Sequence, residues 1–101
     1  MPDMSVDEAV KQNCQALLIG DLMRVMNDLT PEALGALMTA GANVAMMPTL
    51  LGYEIESETV DGDDHLVQIG FTTPDRLITA SETWRALDGA WKITKIEVEG
   101  L

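Results

Sequence analysis

One stretch of the chain constrains its fold more than any other: residues 81–99, SETWRALDGAWKITKIEVE. Asp88 and Gly89 separate two runs in which apolar and polar residues alternate. An Asp-Gly pair favours a two-residue turn because both positions accept positive φ, which matches the twist of the flanking strands. The sequence therefore predicts a β-hairpin in which Leu87 pairs with Ala90.

Two more strands are predicted upstream of this hairpin, on either side of the acidic turn at residues 61–64. In the first, apolar and hydroxyl residues alternate with glutamates, which predicts one mixed face and one solvated face. The acidic turn lacks the remaining spacing of an EF-hand loop, so no metal site is predicted there. The mixed face comprises Tyr53, Ile55, Ser57 and Thr59, and the solvated face comprises Glu54, Glu56 and Glu58.

Helices are predicted to precede the strands. Ser5 stands three residues before Glu8, the spacing of a capping box, so a helix is expected to begin at Val6. Gly20 and Asp21 allow two interpretations, because the apolar stripe continues past them. One long helix would keep that stripe intact, whereas Gly followed by Asp is typical of a helix end and a new N-cap. We favour the break.

Thr30 followed by Pro31 predicts another helix, which is expected to end near residue 40. The apolar segment that follows, residues 42–51, has no clear period and contains a proline. Met46 and Met47 lie in this segment. Flexible methionine side chains suit a pocket for an irregular ligand, and plain core packing is the alternative.

Composition limits the chain to one domain, residues 1–101, with 47% hydrophobic residues. Its formal charge of −11 repels phosphate backbones and anionic headgroups, so neither a nucleic-acid nor a membrane partner is expected. The N-terminus is acidic where a signal peptide would be basic, which predicts a cytoplasmic protein. Cys14, the sole cysteine, lies in an apolar stripe and is interpreted as a small buried hydrophobe.

Glu82 is the one carboxylate in an unusual place, because alternation puts it on the apolar face of its strand beside Trp84. Uninterrupted pairing from the Asp-Gly turn would set Glu82 opposite Lys95 as an ion pair. However, the apolar residues of the last strand change phase, which a one-residue bulge near residues 94–95 would explain. With that bulge Glu82 faces Ile96, and desolvation would raise its pKa.

The candidate functional residues follow from these patterns. Glu82 is the candidate general base, since a carboxyl in an apolar site can titrate near neutral pH. His65, at the start of the second strand, is interpreted as a surface imidazole rather than a base. No metal or cofactor is predicted. The candidate pocket residues are Tyr53, Met46, Met47, Phe71, Trp84 and Trp91.

Two stretches resemble the nuclear-transport-factor-2-like superfamily, which includes SnoaL-like cyclases and ketosteroid isomerases. They are residues 16–34, ALLIGDLMRVMNDLTPEAL, and residues 89–99, GAWKITKIEVE. The resemblance implies an α+β cystatin-like cone, with N-terminal helices packed on a curled antiparallel sheet of about four strands. It also implies an Asp or Glu inside the cone. Glu82 matches by the phase of its strand, and Asp21 lies at a family-like helix junction, where capping is its favoured role. The chain is shorter than typical members, with a compressed segment before the first strand.

We therefore expect a non-catalytic cone that binds a small apolar molecule, dimerises through its sheet, or does both. The alternative is an isomerase, cyclase or dehydratase-type enzyme that moves a proton next to a carbonyl, with Glu82 as base. A protein-interaction adaptor is a third interpretation. The sheet face expected to be exposed comprises Leu77, Thr79, Ser81, Thr83, Arg85 and Leu87, with Lys92 and Thr94.

Overall fold

The computed structural model describes residues 4–39 and 49–100. In these two ranges, three helices are followed by four strands, which form one antiparallel sheet in chain order, curled but not closed. The α+β class expected from the sequence is confirmed. The elements are α1 (Val6–Ile19), α2 (Leu22–Asp28), α3 (Pro31–Thr39), β1 (Gly52–Asp61), β2 (Asp64–Thr72), β3 (Leu77–Leu87) and β4 (Ala90–Glu99).

The ends of α1 are set by its capping residues. The Glu8 backbone N–H donates to Ser5 Oγ at 3.2 Å, so the predicted start is confirmed. Gly20 ends the helix with φ 79°, in the left-handed region that glycine adopts without strain. The Asp21 side chain then accepts the Arg24 N–H at 3.3 Å and begins α2. The predicted break between the two helices is therefore confirmed.

The link between α2 and α3 lies along the free edge of β4. Leu29 forms a parallel bridge with Ile93, and the Thr30 N–H donates to the Ile93 carbonyl at 3.0 Å. Thr30 Oγ1 also accepts the Ala33 N–H at 3.2 Å, which caps α3 as predicted. Because this link occupies part of the strand's edge, it shields β4 from pairing with another chain there.

The β3-β4 hairpin has the predicted two-residue turn. Leu87 pairs with Ala90, and both turn residues have positive φ, 52° at Asp88 and 80° at Gly89. These angles are those of a type I′ turn. The turn therefore sets the register of the two strands from their closed end.

That register shifts by one residue further along the hairpin. Trp84 pairs with Ile93 and Thr83 pairs with Lys95, so Thr94 is an extra residue on β4. The predicted bulge is confirmed. It brings the apolar residues on both sides of Thr94 onto the face that meets the helices.

A second bulge, on β1, was not predicted. The β1-β2 register shifts between Ile55 and Ser57, which leaves Glu56 as the extra residue. Beyond it Glu58 lies opposite the buried Val67, on the same side of the sheet as Ile55. The expected uninterrupted alternation over residues 53–59 is therefore wrong, because the extra residue exchanges the two faces of the strand.

The core lies between the helices and the inner face of the sheet. Its aromatic centre is Trp84 and Phe71, which are almost completely buried. The hairpin end at residues 85–90 is exposed. Ala86 is therefore outside the core, although alternation from Trp84 predicts that it shares the apolar face of β3. The main core side chains are Val10, Cys14, Leu29, Leu37, Val67, Ile69, Phe71, Ile78, Trp84 and Ile93.

Candidate functional site

Glu82 lies inside the core. It pairs with Val67 on β2 and with Ile96 on β4, and only 3% of its surface is exposed. The alternative ion pair with Lys95, which uninterrupted pairing would give, is not formed, because the bulge pairs Lys95 with Thr83 on the outer face. A carboxyl at this position is therefore cut off from water by its strand neighbours and by the helices.

The environment of Glu82 changes its acidity. Burial raises the pKa of Glu82 to about 7, and the hydrogen bond from Trp84 lowers it while the charge of Asp28 raises it. The Trp84 indole N–H donates to Glu82 Oε1 at 2.9 Å. The group therefore takes up or loses its proton near neutral pH, as a general base would, but it does so among apolar side chains.

Cys14 on α1 is a second buried titratable group. Burial raises the pKa of its thiol to about 12, and the nearby charge of Glu82 adds to that rise. Its side chain is completely inaccessible. A thiolate is the reactive form of cysteine, so Cys14 is inert at physiological pH. The interpretation of Cys14 as a small buried hydrophobe is confirmed.

A polar cluster joins α1 to α2. The Asn13 Nδ2 amide donates to Asp28 Oδ2 at 3.0 Å, and Arg24 Nε lies 3.5 Å from the same oxygen. Asn13 is 1% exposed and Asp28 is 7% exposed. The charge of Asp28 is thus balanced by a guanidinium and a hydrogen-bond donor within the helix pair.

A cavity of about 330 Å³ lies between this helix pair and the end of the β3-β4 hairpin. Apolar and charged side chains both border it. The apolar wall comprises Met4, Ala9 and Trp91, and the charged wall comprises Arg24, Asp28 and Lys92. Glu82 does not border this cavity.

Trp91 is held in place from two sides. Its indole N–H donates to the Met4 carbonyl at 2.9 Å. The ring of His65 approaches it edge-on, with ring centroids 5.1 Å apart and an interplanar angle of 84°. His65 is half-buried and its Nδ1 atom is enclosed with no hydrogen-bond partner among the described residues. The imidazole is therefore only partly at the surface, because the ring packs on Trp91.

A shallow groove of about 430 Å³ runs over the opposite, outer face of the sheet. Polar and small side chains dominate it, among them Ser57, Gln68, Ser81 and Lys95. Thr83 was expected to be exposed on this face, but it is only 8% exposed. It lies between two cross-strand neighbours with longer side chains, Leu66 and Lys95.

The predicted pocket residues occupy different environments. Phe71 and Trp84 are enclosed in the filled core, and Tyr53 packs partly buried against it. Trp91 borders the cavity at the hairpin end. Residues 46–47, the two candidate methionines Met46 and Met47, lie outside the described part of the chain.

Sequence reasoning missed the charged wall of the cavity. Asn13 did carry a signal, because it lies three residues after Val10 and four before Leu17, within the apolar stripe of α1. A polar residue in such a stripe needs a buried partner, and here that partner is Asp28. The sequence does not mark Arg24 and Lys92 as cavity residues, because lysine and arginine are common on protein surfaces in general.

Within residues 4–39 and 49–100, no three His, Cys, Asp or Glu side chains are grouped so as to hold a metal ion. None of the helices in that part of the chain is long and apolar enough to cross a bilayer. No protein-family model, curated protein or solved structure matches the sequence or the fold. The function of this chain is therefore inferred from the geometry of the cavity itself.

Proposed function

We propose that this chain is a non-catalytic binding domain for a small, largely apolar molecule, which it holds in the cavity at the end of the β3-β4 hairpin. The observation that carries the proposal is the composition of that cavity, which Trp91 borders together with charged residues of α2 and β4. Ligand pockets combine a mainly apolar lining with a few placed polar groups, and their volumes begin near ~300 Å³. The cavity of about 330 Å³ meets the condition of volume, and its lining combines apolar residues with several polar and charged ones.

The filled interior favours the hairpin end as the ligand site, rather than the space between the helices and the sheet. Trp84, Phe71 and Ile69 are each at most 2% exposed, and they occupy the space that a deeper ligand would need. The cavity instead lies where the helix pair and the hairpin end meet. A ligand there would contact Trp91 and leave Trp84 untouched.

The two tryptophans give a direct test by NMR. The chain has only two indole N–H groups, so each can be assigned in a ¹H–¹⁵N spectrum with the Trp91→Phe variant. Screening a library of small aromatic and aliphatic compounds should identify binders that shift the Trp91 signal and leave the Trp84 signal in place. A library in which no compound shifts Trp91, or in which binders shift only Trp84, would refute this location.

We also propose that two copies of the chain associate through the outer face of the sheet. Four strands of about ten residues present a face of roughly 19 Å by 33 Å, close to the ~800 Å² per partner of a typical interface. Ser57, Gln68, Ser81 and Thr83 occupy its centre, with Lys95 beside them. The one exposed carboxylate among the described residues of this groove is Glu97, opposite Ser81, and Lys95 lies two residues from it on the same strand. The centre of the face is therefore mainly uncharged and polar, and few charges are typical of interface cores.

The solution mass tests this assembly. Light scattering at micromolar concentration should give twice the 11.0 kDa chain mass. The Ser81→Glu variant places two like charges across a two-fold interface and should be monomeric. Gln15→Glu, on the exposed side of α1, makes the same charge change away from the face and should leave the dimer intact. A monomeric wild type would rule out the assembly.

A second candidate function is the enzyme that moves a proton next to a carbonyl. The observation that favours it is Glu82, a buried carboxyl whose pKa is about 7. The observation against it is that Glu82 lies among core side chains and does not border the hairpin-end cavity. It is among the residues at the outer-face groove, but with 3% of its surface exposed it offers a substrate there little contact.

Exchange of carbonyl-adjacent protons measures this activity without a known substrate. Protein in D₂O is incubated with a panel of small ketones, and loss of the α-proton signals is followed by ¹H NMR. Glu82→Gln keeps the shape of the side chain and removes the base. Catalysed exchange that disappears in Glu82→Gln would favour the enzyme, and exchange that survives would exclude this mechanism.

A further inference from the structure

The charges around the hairpin-end cavity differ in sign from those of the chain as a whole. The chain has 17 acidic and six basic residues. Two of those six basic residues, Arg24 and Lys92, border the cavity, whereas Asp28 is the one acidic residue that does so among those described. The cavity is therefore a locally positive site on a strongly negative protein.

Asp28 does not offer its charge to a ligand. Asn13 donates to it at 3.0 Å, Arg24 Nε lies 3.5 Å from the same oxygen, and the residue is 7% exposed. A cationic ligand would have to compete with the guanidinium that already neutralises this carboxylate. The cavity wall thus has an internally balanced pair and one additional charge.

That additional charge is Lys92. Its ammonium donates to the Asn27 carbonyl at 2.6 Å, which holds it at the edge of the cavity. Within the described ranges, residues 4–39 and 49–100, no carboxylate lies within 4.0 Å of it. An ammonium has three N–H donors, so two remain for a ligand.

The apolar wall limits the rest of the ligand. The indole N–H of Trp91 is already bonded to the Met4 carbonyl, so the ring offers an apolar surface rather than a donor. Ala9 adds a small, flat contact on the helix side. A planar hydrocarbon body fits such a wall better than a polar one.

We infer that the ligand of this cavity is a small organic anion, with a planar apolar body against Trp91 and a carboxylate that accepts from Lys92. This inference rests on the proposed binding function and adds the chemical class of the ligand. A bicyclic aromatic acid is the simplest probe of that class. Its binding has to overcome the repulsion of an overall charge of −11, so affinity for an anion would require a local contact.

Calorimetry with two matched probes tests the class at 150 mM salt. The probes are 2-naphthoate and 2-naphthalenemethanol, which share the ring system and differ in charge. The wild type should bind the acid at least about ten-fold more tightly than the alcohol, as expected for one charge-assisted hydrogen bond. The Lys92→Met variant should lose that difference and keep its affinity for the alcohol. Lys11→Met makes the same charge change on the exposed side of α1, away from the cavity, and should bind as the wild type does.

The outcomes separate the two proposals. If the alcohol binds as tightly as the acid, or if Lys92→Met binds both as the wild type does, the anionic class is wrong and the binding function stands. If neither probe binds and no library compound shifts the Trp91 indole signal, both proposals fail. An unchanged Trp84 indole signal in Lys92→Met verifies that the variant is folded.

Discussion

The indole N–H of Trp84 donates to the carboxyl of Glu82 over 2.9 Å, although both side chains project from β3 into an otherwise apolar core. The two residues are separated by one position, so they lie on the same face of the strand. This bond gives the carboxyl its one described side-chain partner in the core. Protonation of Glu82 is therefore coupled to the stability of the whole fold.

The first prediction concerns pH and stability. The pKa of Glu82 rises from 4.5 to about 7 on folding, so the native state holds this proton more tightly than the unfolded chain. The resulting stabilisation is complete below about pH 4.5 and is lost as the pH rises through 7. From this group alone we expect the free energy of unfolding to fall by about 3 kcal/mol between those values.

Urea denaturation across pH 5 to 8 would measure this change. Glu82→Gln stays neutral and can still accept the Trp84 N–H, so its unfolding free energy should vary less with pH and exceed the wild-type value at pH 8. The control is Glu32→Gln, which removes an exposed glutamate on α3. If the free energy of unfolding varies with pH equally in the wild type and in Glu82→Gln, folding does not raise the pKa of Glu82.

The second prediction concerns the polar link between α1 and α2. Asn13→Ala removes the amide that donates to Asp28 and leaves a buried carboxylate with fewer partners. We expect the free energy of unfolding to fall by about 1–3 kcal/mol, as is typical when a buried polar group loses its partner. Gln15→Ala, on the exposed side of the same helix, should change it by less than about 0.5 kcal/mol. Equal effects of the two substitutions would contradict the buried role of Asn13.

The third prediction contrasts two glycines. An added Cβ meets nothing within 4 Å at Gly35 or at Gly89, so packing does not distinguish them. Gly89 has φ 80°, whereas Gly35 lies within α3. Gly89→Ala should therefore destabilise the protein by about 1 kcal/mol, and Gly35→Ala should stabilise it by about 0.5–1 kcal/mol. Thermal unfolding measures both, and the same sign for the two variants would contradict the type I′ turn.

The fourth prediction is the inertness of Cys14. Burial raises the pKa of its thiol to about 12 and encloses the sulfur completely. The thiol of native protein at pH 8 should therefore react with a disulfide reagent such as DTNB no faster than the protein unfolds and exposes the sulfur. The same protein in guanidinium chloride should react at once. Rapid reaction of the native state would place Cys14 at the surface.

Much of this fold could be predicted because its signals are local. Ser5, Asp21 and Thr30 each cap a helix with their own side chain, and the Asp88-Gly89 turn needs only two residues. The bulge at Thr94 was also predictable, since the apolar residues change phase within the same strand. Such features require no knowledge of distant contacts.

The bulge at Glu56 shows where local reasoning stops. The sequence of β1 alternates without interruption, so nothing in that strand indicates an extra residue. Its register is decided by pairing with β2, where Gly70 leaves room for the Glu56 side chain, whose carboxylate lies 3.2 Å from the point where a Cβ would be. Pairing between strands is a tertiary choice that overrides periodicity.

The cavity could not be predicted for a related reason. Arg24 belongs to α2 and Lys92 to β4, and they border the same cavity only because the α2-α3 link pairs with the edge of β4. Trp91 was predicted as a pocket residue from its chemistry, while its neighbours in space depend on packing between elements. Single-residue signals identified the ring but not the charges facing it.

The proposed ligand site depends on a filled interior, in which Glu82 is an enclosed carboxyl beside Trp84, so that the hairpin-end cavity is left for a ligand. The most direct test is the titration of its side-chain carboxyl carbon by ¹³C NMR, with Glu82→Gln to assign the signal. We predict a midpoint near the value of about 7 that burial produces. A midpoint near the ~4.3 of a free glutamate would contradict the account, because it would place the carboxyl in water.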